Sequence, residues 1–158
     1  MRQSVESKAN ASNLINIRLA TPGDEAFIYR SWLVGYKSAK PNHKIRNSIY
    51  FPAQKNVIKN ILERASTIVA CDLNDPSNCY GYLCSEIYPE SVVLHWVYTK
   101  YRFRRFGIAN ALLNFILEQE PRAQLYASHI GNNNYFDGLV EKHQAIYDPT
   151  LKVEHGTS

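Results

Sequence analysis

The chain is poor in the residues that staple or metallate small proteins. It has three cysteines, Cys71, Cys79 and Cys84, an odd number with no Cys-x-x-Cys pair. That spacing argues against both a zinc centre and a disulfide framework, and buried strand thiols are the expected reading. Long hydrophobic runs are missing as well. The longest, such as 91–97, fall far short of the roughly 20 apolar residues a membrane-spanning helix needs. The opening MRQSVESKANASN has no apolar h-region, so no secretory leader is expected. Residues 1–12 read as a mobile tail, and Asn10-Ala11-Ser12 as an accidental sequon in a cytoplasmic protein. Both common nucleotide loops, Gly-x-Gly-x-x-Gly and Gly-x-x-x-x-Gly-Lys-Ser/Thr, are absent. No internal repeat or low-complexity linker divides the chain. At 158 residues and 45% hydrophobic content, residues 13–158 are expected to form one globular domain with its own core.

What is present is unevenly distributed charge. The net charge of +4 is mild, but Lys100, Arg102, Arg104 and Arg105 crowd into six residues. Lys37, Lys40, His43, Lys44 and Arg46 form a second group. Two local basic patches point to phosphate ligands or an acidic partner rather than to general coating of DNA.

Hydrophobic periodicity gives the order of elements. Residues 14–20 alternate as a strand. Thr21-Pro22-Gly23-Asp24 supplies turn and cap chemistry for a helix over about 24–37. Residues 38–52 show no period and read as a long basic, aromatic loop, followed by a helix over about 53–65. Strands are expected at 67–72, 79–87 and 91–99, with hairpin turns at Asp72–Asn78 and Tyr88–Glu90. A helix over 107–119, a strand over 123–129, a short helix over 135–142 and an extended piece over 145–153 complete the chain. The order β-α-α-β-β-β-α-β-α-β implies an α/β (α+β) fold, a mixed sheet with helices on its faces.

The most informative stretch runs from Tyr98 to Leu113, YTKYRFRRFGIANALL. A strand end enters a basic turn, then Arg104-x-x-Gly107-x-Ala109, then an amphipathic helix. Unpaired N–H groups at a helix start and the helix dipole favour an anion. A glycine allows close backbone approach, and arginines add charge-assisted hydrogen bonds. This spacing resembles the acetyl-coenzyme A loop of the GCN5-related N-acetyltransferases (GNAT family), (Arg/Gln)-x-x-Gly-x-(Gly/Ala). The order of elements over residues 14–153 is also that family's, and its sheet is mixed but mostly antiparallel. Ser31–Leu33, Tyr50–Pro52, HWVY and FRRFGIA further resemble small bacteriophage-encoded members, which would place the protein in the host cytoplasm.

The resemblance implies that the pantetheine arm pairs with main-chain groups of Val97, Tyr98 and Thr99. The pyrophosphate would then take N–H groups from Arg104, Arg105, Phe106, Gly107, Ile108 and Ala109, with Asn110 nearby. Arg105 stands where the family usually has a second glycine, and Tyr101 where it has proline. An arginine there is expected to hold an ordinary negative φ. The bland reading of the turn is a basic strand-to-helix connection that binds nothing.

Transfer to an amine needs a base, because only the neutral amine attacks a thioester. His95 lies on the strand entering the loop, and strict alternation would put it on the face of Val97 and Thr99. An imidazole suits the role, and arylalkylamine members of the family carry a catalytic histidine at this offset. The alternative is a hydrogen-bonded core histidine. The glutamate that other members use falls at Ser91, with Glu86 and Glu90 nearby. The family's acid tyrosine has no counterpart in register, since Tyr135 comes too early and Tyr147 too late. His129, closing the fifth strand, is the expected substitute, against the alternative of a surface histidine. Trp32, Tyr50 and Phe51 bracket the segment that would shape the acceptor site, although aromatic residues also serve as core plugs. The expectation is therefore an acetyl-coenzyme A-dependent N-acetyltransferase acting on an amine, the basic residues favouring an acidic or nucleic-acid acceptor, with no metal and with a homodimer allowed by open strand edges. The competing readings are a non-catalytic acyl-coenzyme A-binding or interaction module on the same fold, and a nucleic-acid-binding protein in which YTKYRFRRF stacks bases.

Overall fold

The computed structural model describes residues 15–153; the tail expected over 1–12, with its sequon, lies outside them. Ten elements follow in the expected order: β1 (Ile15–Leu19), α1 (Glu25–Lys37), α2 (Asn47–Arg64), β2 (Ser66–Asp72), β3 (Cys79–Tyr88), β4 (Ser91–Thr99), α3 (Ile108–Leu117), β5 (Gln124–Ala127), α4 (Tyr135–His143) and β6 (Ile146–Tyr147). They build one six-stranded sheet in the order β1-β2-β3-β4-β5-β6. The first four strands pair antiparallel, β1 with β2 across the two-helix connection and β2, β3 and β4 through short turns, while β5 and β6 join in parallel after helical crossovers.

Strand alternation splits the hydrophobic residues between two faces. Ile68, Ala70, Leu83, Val92 and Leu94 pack with Ile108, Leu112 and Ile116 of α3 into an aliphatic core. Val69, Cys71, Tyr82 and Cys84 face the other way. There they meet Ile28, Trp32 and Tyr36 of α1, and Tyr50, Ile58 and Ile61 of α2. All three cysteines are free and buried in this second core, so the plain reading of them holds. The entry to α1 is fixed by Asp24, whose carboxylate accepts 2.8 and 3.1 Å hydrogen bonds from Arg18 and a 2.8 Å bond from the Thr21 N–H. The Arg18 bond foremost holds the Asp24 pKa down at about 2, against the opposing pull of burial.

Two local expectations change. The aperiodic segment 38–52 is not one loop: α2 begins at Asn47 and runs through Pro52, so Tyr50 and Phe51 are helical. Pro52 lacks one N–H, a loss near the helix start that the tertiary anchor offsets, since the Tyr50 hydroxyl donates to the Leu33 carbonyl at 2.7 Å. The final piece is extended only over β6. It then turns through a 3-10 segment, Pro149–Lys152, capped by Asp148, whose Oδ1 accepts the Thr150 N–H at 3.0 Å.

Candidate active site

The sheet opens where β4 and β5 part. They pair only over Ser91–Leu94 and Gln124–Ala127, flanked by bonds from the Gln124 N–H to the Glu90 carbonyl at 3.0 Å and, at the opening, from the Ser128 N–H to the Leu94 carbonyl at 3.1 Å. Beyond that point β4 continues through Val97, Tyr98 and Thr99 with β3 as its partner. Its other edge lines a cavity of about 970 Å³. On an antiparallel strand alternate N–H and C=O groups point away from the partner, so this edge offers hydrogen bonds to an extended ligand.

The basic turn closes one end of the cavity. Tyr101–Phe103 forms a 3-10 turn, and the Arg104 N–H is spent within it on the Tyr101 carbonyl at 3.2 Å. The Arg104 side chain folds back, its Nε donating to the Thr99 carbonyl at 2.9 Å and its guanidinium lying over the Tyr98 and Tyr101 rings. Arg104 therefore braces the strand end. Arg105 departs from expectation: its φ is +73°, left-handed rather than negative, and Gly107 follows at +81°. The turn reverses so tightly that both positions take the conformation usually left to glycine. For Arg105 that costs on the order of 1–2 kcal/mol. Successive turns of this kind aim N–H groups inward as an anion cradle. The first helical bond of α3 runs from the Ala111 N–H to the Gly107 carbonyl at 2.9 Å, so Ile108, Ala109 and Asn110 begin the helix with N–H groups that have no intrahelical acceptor. All three line the cavity with Arg104, Arg105 and Gly107; Phe106 is exposed and does not.

Deeper in, the two candidate histidines belong to one buried chain. His95 is fully buried; its Nε2 lies 2.8 Å from Glu86 Oε1 and its Nδ1 lies 2.7 Å from Ser128 Oγ. Ser128 Oγ also meets His129 Nδ1 at 2.8 Å, and His129 Nε2 meets the Gln54 amide nitrogen at 3.0 Å. Chemistry fixes the direction of these bonds. Glu86 is ionised and only accepts, so His95 Nε2–H donates to it and Ser128 donates to His95 Nδ1. Ser128 then accepts from His129 Nδ1–H, and His129 Nε2 accepts from Gln54. Burial alone would raise the Glu86 pKa, but hydrogen bonds from His95 and Tyr88 and the nearby Arg64 charge bring it down to about 2. Burial lowers the His95 pKa, with Glu86 opposing. Burial, then the Lys152 charge, holds that of His129 well below its ordinary value. Both imidazoles are thus neutral near pH 7.

A β-bulge creates this arrangement. Leu94 pairs with Ser85 and Trp96 with Cys84, leaving His95 unpaired between them. The alternation that would put His95 on the face of Val97 and Thr99 is broken there. Val97 packs against the aliphatic core, while His95 turns to Glu86, which α2 also holds through Arg64 at 3.3 Å.

The aromatic acceptor candidates are placed otherwise than their position in sequence implies. Trp32 is fully buried, stacked on Trp96 at 5.8 Å and edge-on to His129 at 5.3 Å. Tyr50 and Phe51 pack on each other at 5.1 Å. None of the three lines the cavity; they support it from behind. The wall is instead one face of α1, Phe27, Arg30, Ser31, Val34, Gly35 and Ser38, a spacing legible as a helical stripe. Small size there is set by packing, since a Cβ on Gly35 would lie 3.2 Å from Trp96. Tyr135, out of register for an acid, nevertheless reaches the cavity wall. Its buried hydroxyl has no hydrogen-bond partner among the described residues, and burial raises its pKa to about 12.

Comparison with solved structures places the architecture. A Pyrococcus furiosus protein named as an acetyl transferase superposes with a TM-score of 0.62 at 16% identity, covering 81% of this chain and 91% of its own. The fold is that of the GCN5-related N-acetyltransferases. A ribosomal-protein-alanine N-acetyltransferase from Brucella melitensis gives 0.53 at 15% identity over 91% of this chain and 94% of its own. The PaiA N-acetyltransferase from Thermoplasma acidophilum, solved in complex with coenzyme A, gives 0.53 at 17% identity over 80% and 87%. No family model and no curated protein matches the sequence. Among the described residues of the GNAT-like fold here, no three His, Cys, Asp or Glu side chains are grouped to hold a metal ion, and no helix is long and apolar enough to cross a membrane.

Proposed function

We propose that the chain is an acetyl-coenzyme A-dependent N-acetyltransferase of the GCN5-related family acting on an amine in a ternary complex. The observation that carries this is one cavity bounded by three features: the unpaired edge of β4, the left-handed turn at Arg105 and Gly107, and His129. A phosphate-bearing, extended ligand fits the orphan N–H groups at the start of α3 and the outward main-chain groups of Val97 and Thr99, between which Tyr98 turns its own toward β3. When bound, acetyl-coenzyme A would supply the acetyl group, activated as a thioester. A single-domain protein with reduced cysteines suits a cytoplasmic setting, and the bacteriophage resemblance rests on the sequence stretches alone.

The chain's own residues then manage protons. His95 is too deeply buried to touch an amine, so it acts as a positioning residue through the chain of bonds. His129 takes the proton of the acceptor ammonium at Nε2 once the Gln54 amide that occupies this nitrogen swings aside, and the amide oxygen then returns to accept the new Nε2–H. His129 Nδ1–H passes to Ser128, the Ser128 proton passes to His95 Nδ1, and the resulting imidazolium rests against the Glu86 carboxylate. One proton enters and one positive charge ends beside one negative charge. The Tyr135 hydroxyl, held protonated, is the donor available to the departing thiolate.

Thermal stabilisation by acetyl-coenzyme A and not by oligonucleotides is the expected result; the reverse would favour the nucleic-acid reading. Coenzyme binding without turnover across an amine panel would leave the non-catalytic module. For the relay, His129→Ala and His95→Ala should both remove the acidic limb of the pH–rate profile, which lies below the ordinary histidine range. An unchanged limb in His95→Ala would confine the chemistry to His129.

A further inference from the structure

A second cavity, of about 740 Å³, adjoins the first and shares Ser38 and residues 130–133 with it. Its walls carry Lys40, His43 and Lys152 and no carboxylate. None of these three forms an ion pair among the described residues. Lys152 is not a loose surface lysine. Arg64 donates to the Leu151 and Lys152 carbonyls at 3.2 and 3.0 Å, fixing the segment that carries it. Its Nζ donates to the Tyr36 hydroxyl at 2.8 Å and lies 5.1 Å from the centre of that ring, which in turn lies 4.7 Å from the His129 ring. The ammonium therefore sits within about 10 Å of the imidazole.

A fixed cation beside the group meant to accept a proton works against the reaction unless something neutralises it. Lys152 is, after burial, the largest influence keeping His129 unprotonated. No side chain of the cavity wall supplies the counter-charge, which leaves the ligand to bring it.

We propose that this cavity binds an anionic group of the acceptor, a carboxylate or a phosphate, so that the acceptor is a small amine carrying negative charge within about 10 Å of its amino group. The proposal rests on the acetyltransferase reading and adds the substrate class. The anion pairs with Lys152 and Lys40, and by offsetting Lys152 it makes His129 a better base only when a matching acceptor is seated.

Matched amines test it: phosphoethanolamine against ethanolamine, and 4-aminobutyrate against butylamine, the first pair probing phosphate and the second carboxylate. The anionic member of at least one pair should have a kcat/KM at least tenfold higher. Lys152→Met and Lys40→Met should reduce that ratio toward one, chiefly through KM, and Lys152→Arg should keep it. Calorimetric titration of inorganic phosphate into the chain, without acetyl-coenzyme A, supplies a readout independent of turnover. Binding should weaken at least tenfold in Lys152→Met and in Lys40→Met; the latter alters an exposed side chain and leaves packing intact. Equal use of both members of each pair, acetylation confined to a lysine within a peptide, or phosphate affinity unchanged in both variants would overturn the proposal. If coenzyme A binds and neutral amines serve equally well, the acetyltransferase reading survives and this one falls. If phosphate binding depends on both lysines yet coenzyme A does not bind, the anion site stands and the acetyltransferase reading falls.

Discussion

At one end of the cleft, the turn from Arg105 into the first residues of α3 presents main-chain N–H groups, and the side chains mostly brace or point outward. At the other end, Gln54, Glu86, His95, Ser128 and His129 come from α2, β3, β4 and the segment after β5, and everything depends on side chains. The first end tolerates change in residue identity as long as φ is preserved. The second tolerates little, because each bond sets the direction of the next and the groups are buried. The difference predicts where substitutions cost stability and where they cost ligand.

Glu86→Ala should produce the largest loss. It removes the counter-charge of Arg64, whose side chain is 14% exposed, and leaves the Nε2–H of the fully buried His95 without its acceptor, at about 3–5 kcal/mol of stability by denaturant unfolding. If Glu86→Ala unfolds with an unchanged midpoint, the relay is not the rigid end. Ser128→Ala removes the bridge between two imidazoles and should cost about 1–3 kcal/mol, with the acidic limb of the pH–rate profile weakened while coenzyme affinity holds. Gly107→Val forces a β-branched residue to φ +81°. It should cost about 1–2 kcal/mol and weaken coenzyme A binding at least tenfold by calorimetry. Arg105→Gly should move the other way, stabilising by up to about 1 kcal/mol as left-handed strain is relieved beyond the entropy that glycine adds to the unfolded chain. A destabilised Arg105→Gly would mean that the arginine side chain, not the turn, holds this end together.

Acid should act in two stages. His95 and His129 have folded pKa values below the ordinary histidine value, so the unfolded chain binds more protons as pH falls through about 6.5. Their contribution to stability is present above that pH and is lost below it. Glu86 and Asp24, both held near pKa 2, lose theirs later, as pH falls from about 4 toward 2. Unfolding free energies measured in urea across pH 3–8 should show the first decline in the wild type and a smaller one in His129→Phe.

Legibility followed the same division. The strand, basic turn and helix were readable because turn chemistry and capping act over a few residues; only the sign of φ at Arg105 escaped, since no residue type announces a left-handed arginine. The α1 wall of the cavity was present as a helical stripe, but Trp32, Tyr50 and Phe51 drew attention as larger rings. The bulge at His95 was invisible in Ser91–Thr99, where an almost unbroken apolar run offers no alternation whose slip could be seen. Gln54 and Ser128 carried no signal at all. They are ordinary polar residues until folding sets them beside histidines, Gln54 across a separation of 75 positions from His129 and Ser128 across 33 from His95.

The sequence by itself determined the order of elements, the mixed sheet and the basic strand-to-helix turn, because each depends on periodicity or on backbone chemistry among near neighbours. Tertiary structure decided that two histidines share one directed chain of hydrogen bonds, that the bulky aromatics became core, and that Lys152 stands beside the cleft. Those outcomes depend on burial and on contacts between residues far apart in the chain, where desolvation makes every unpaired polar group costly and so admits few arrangements.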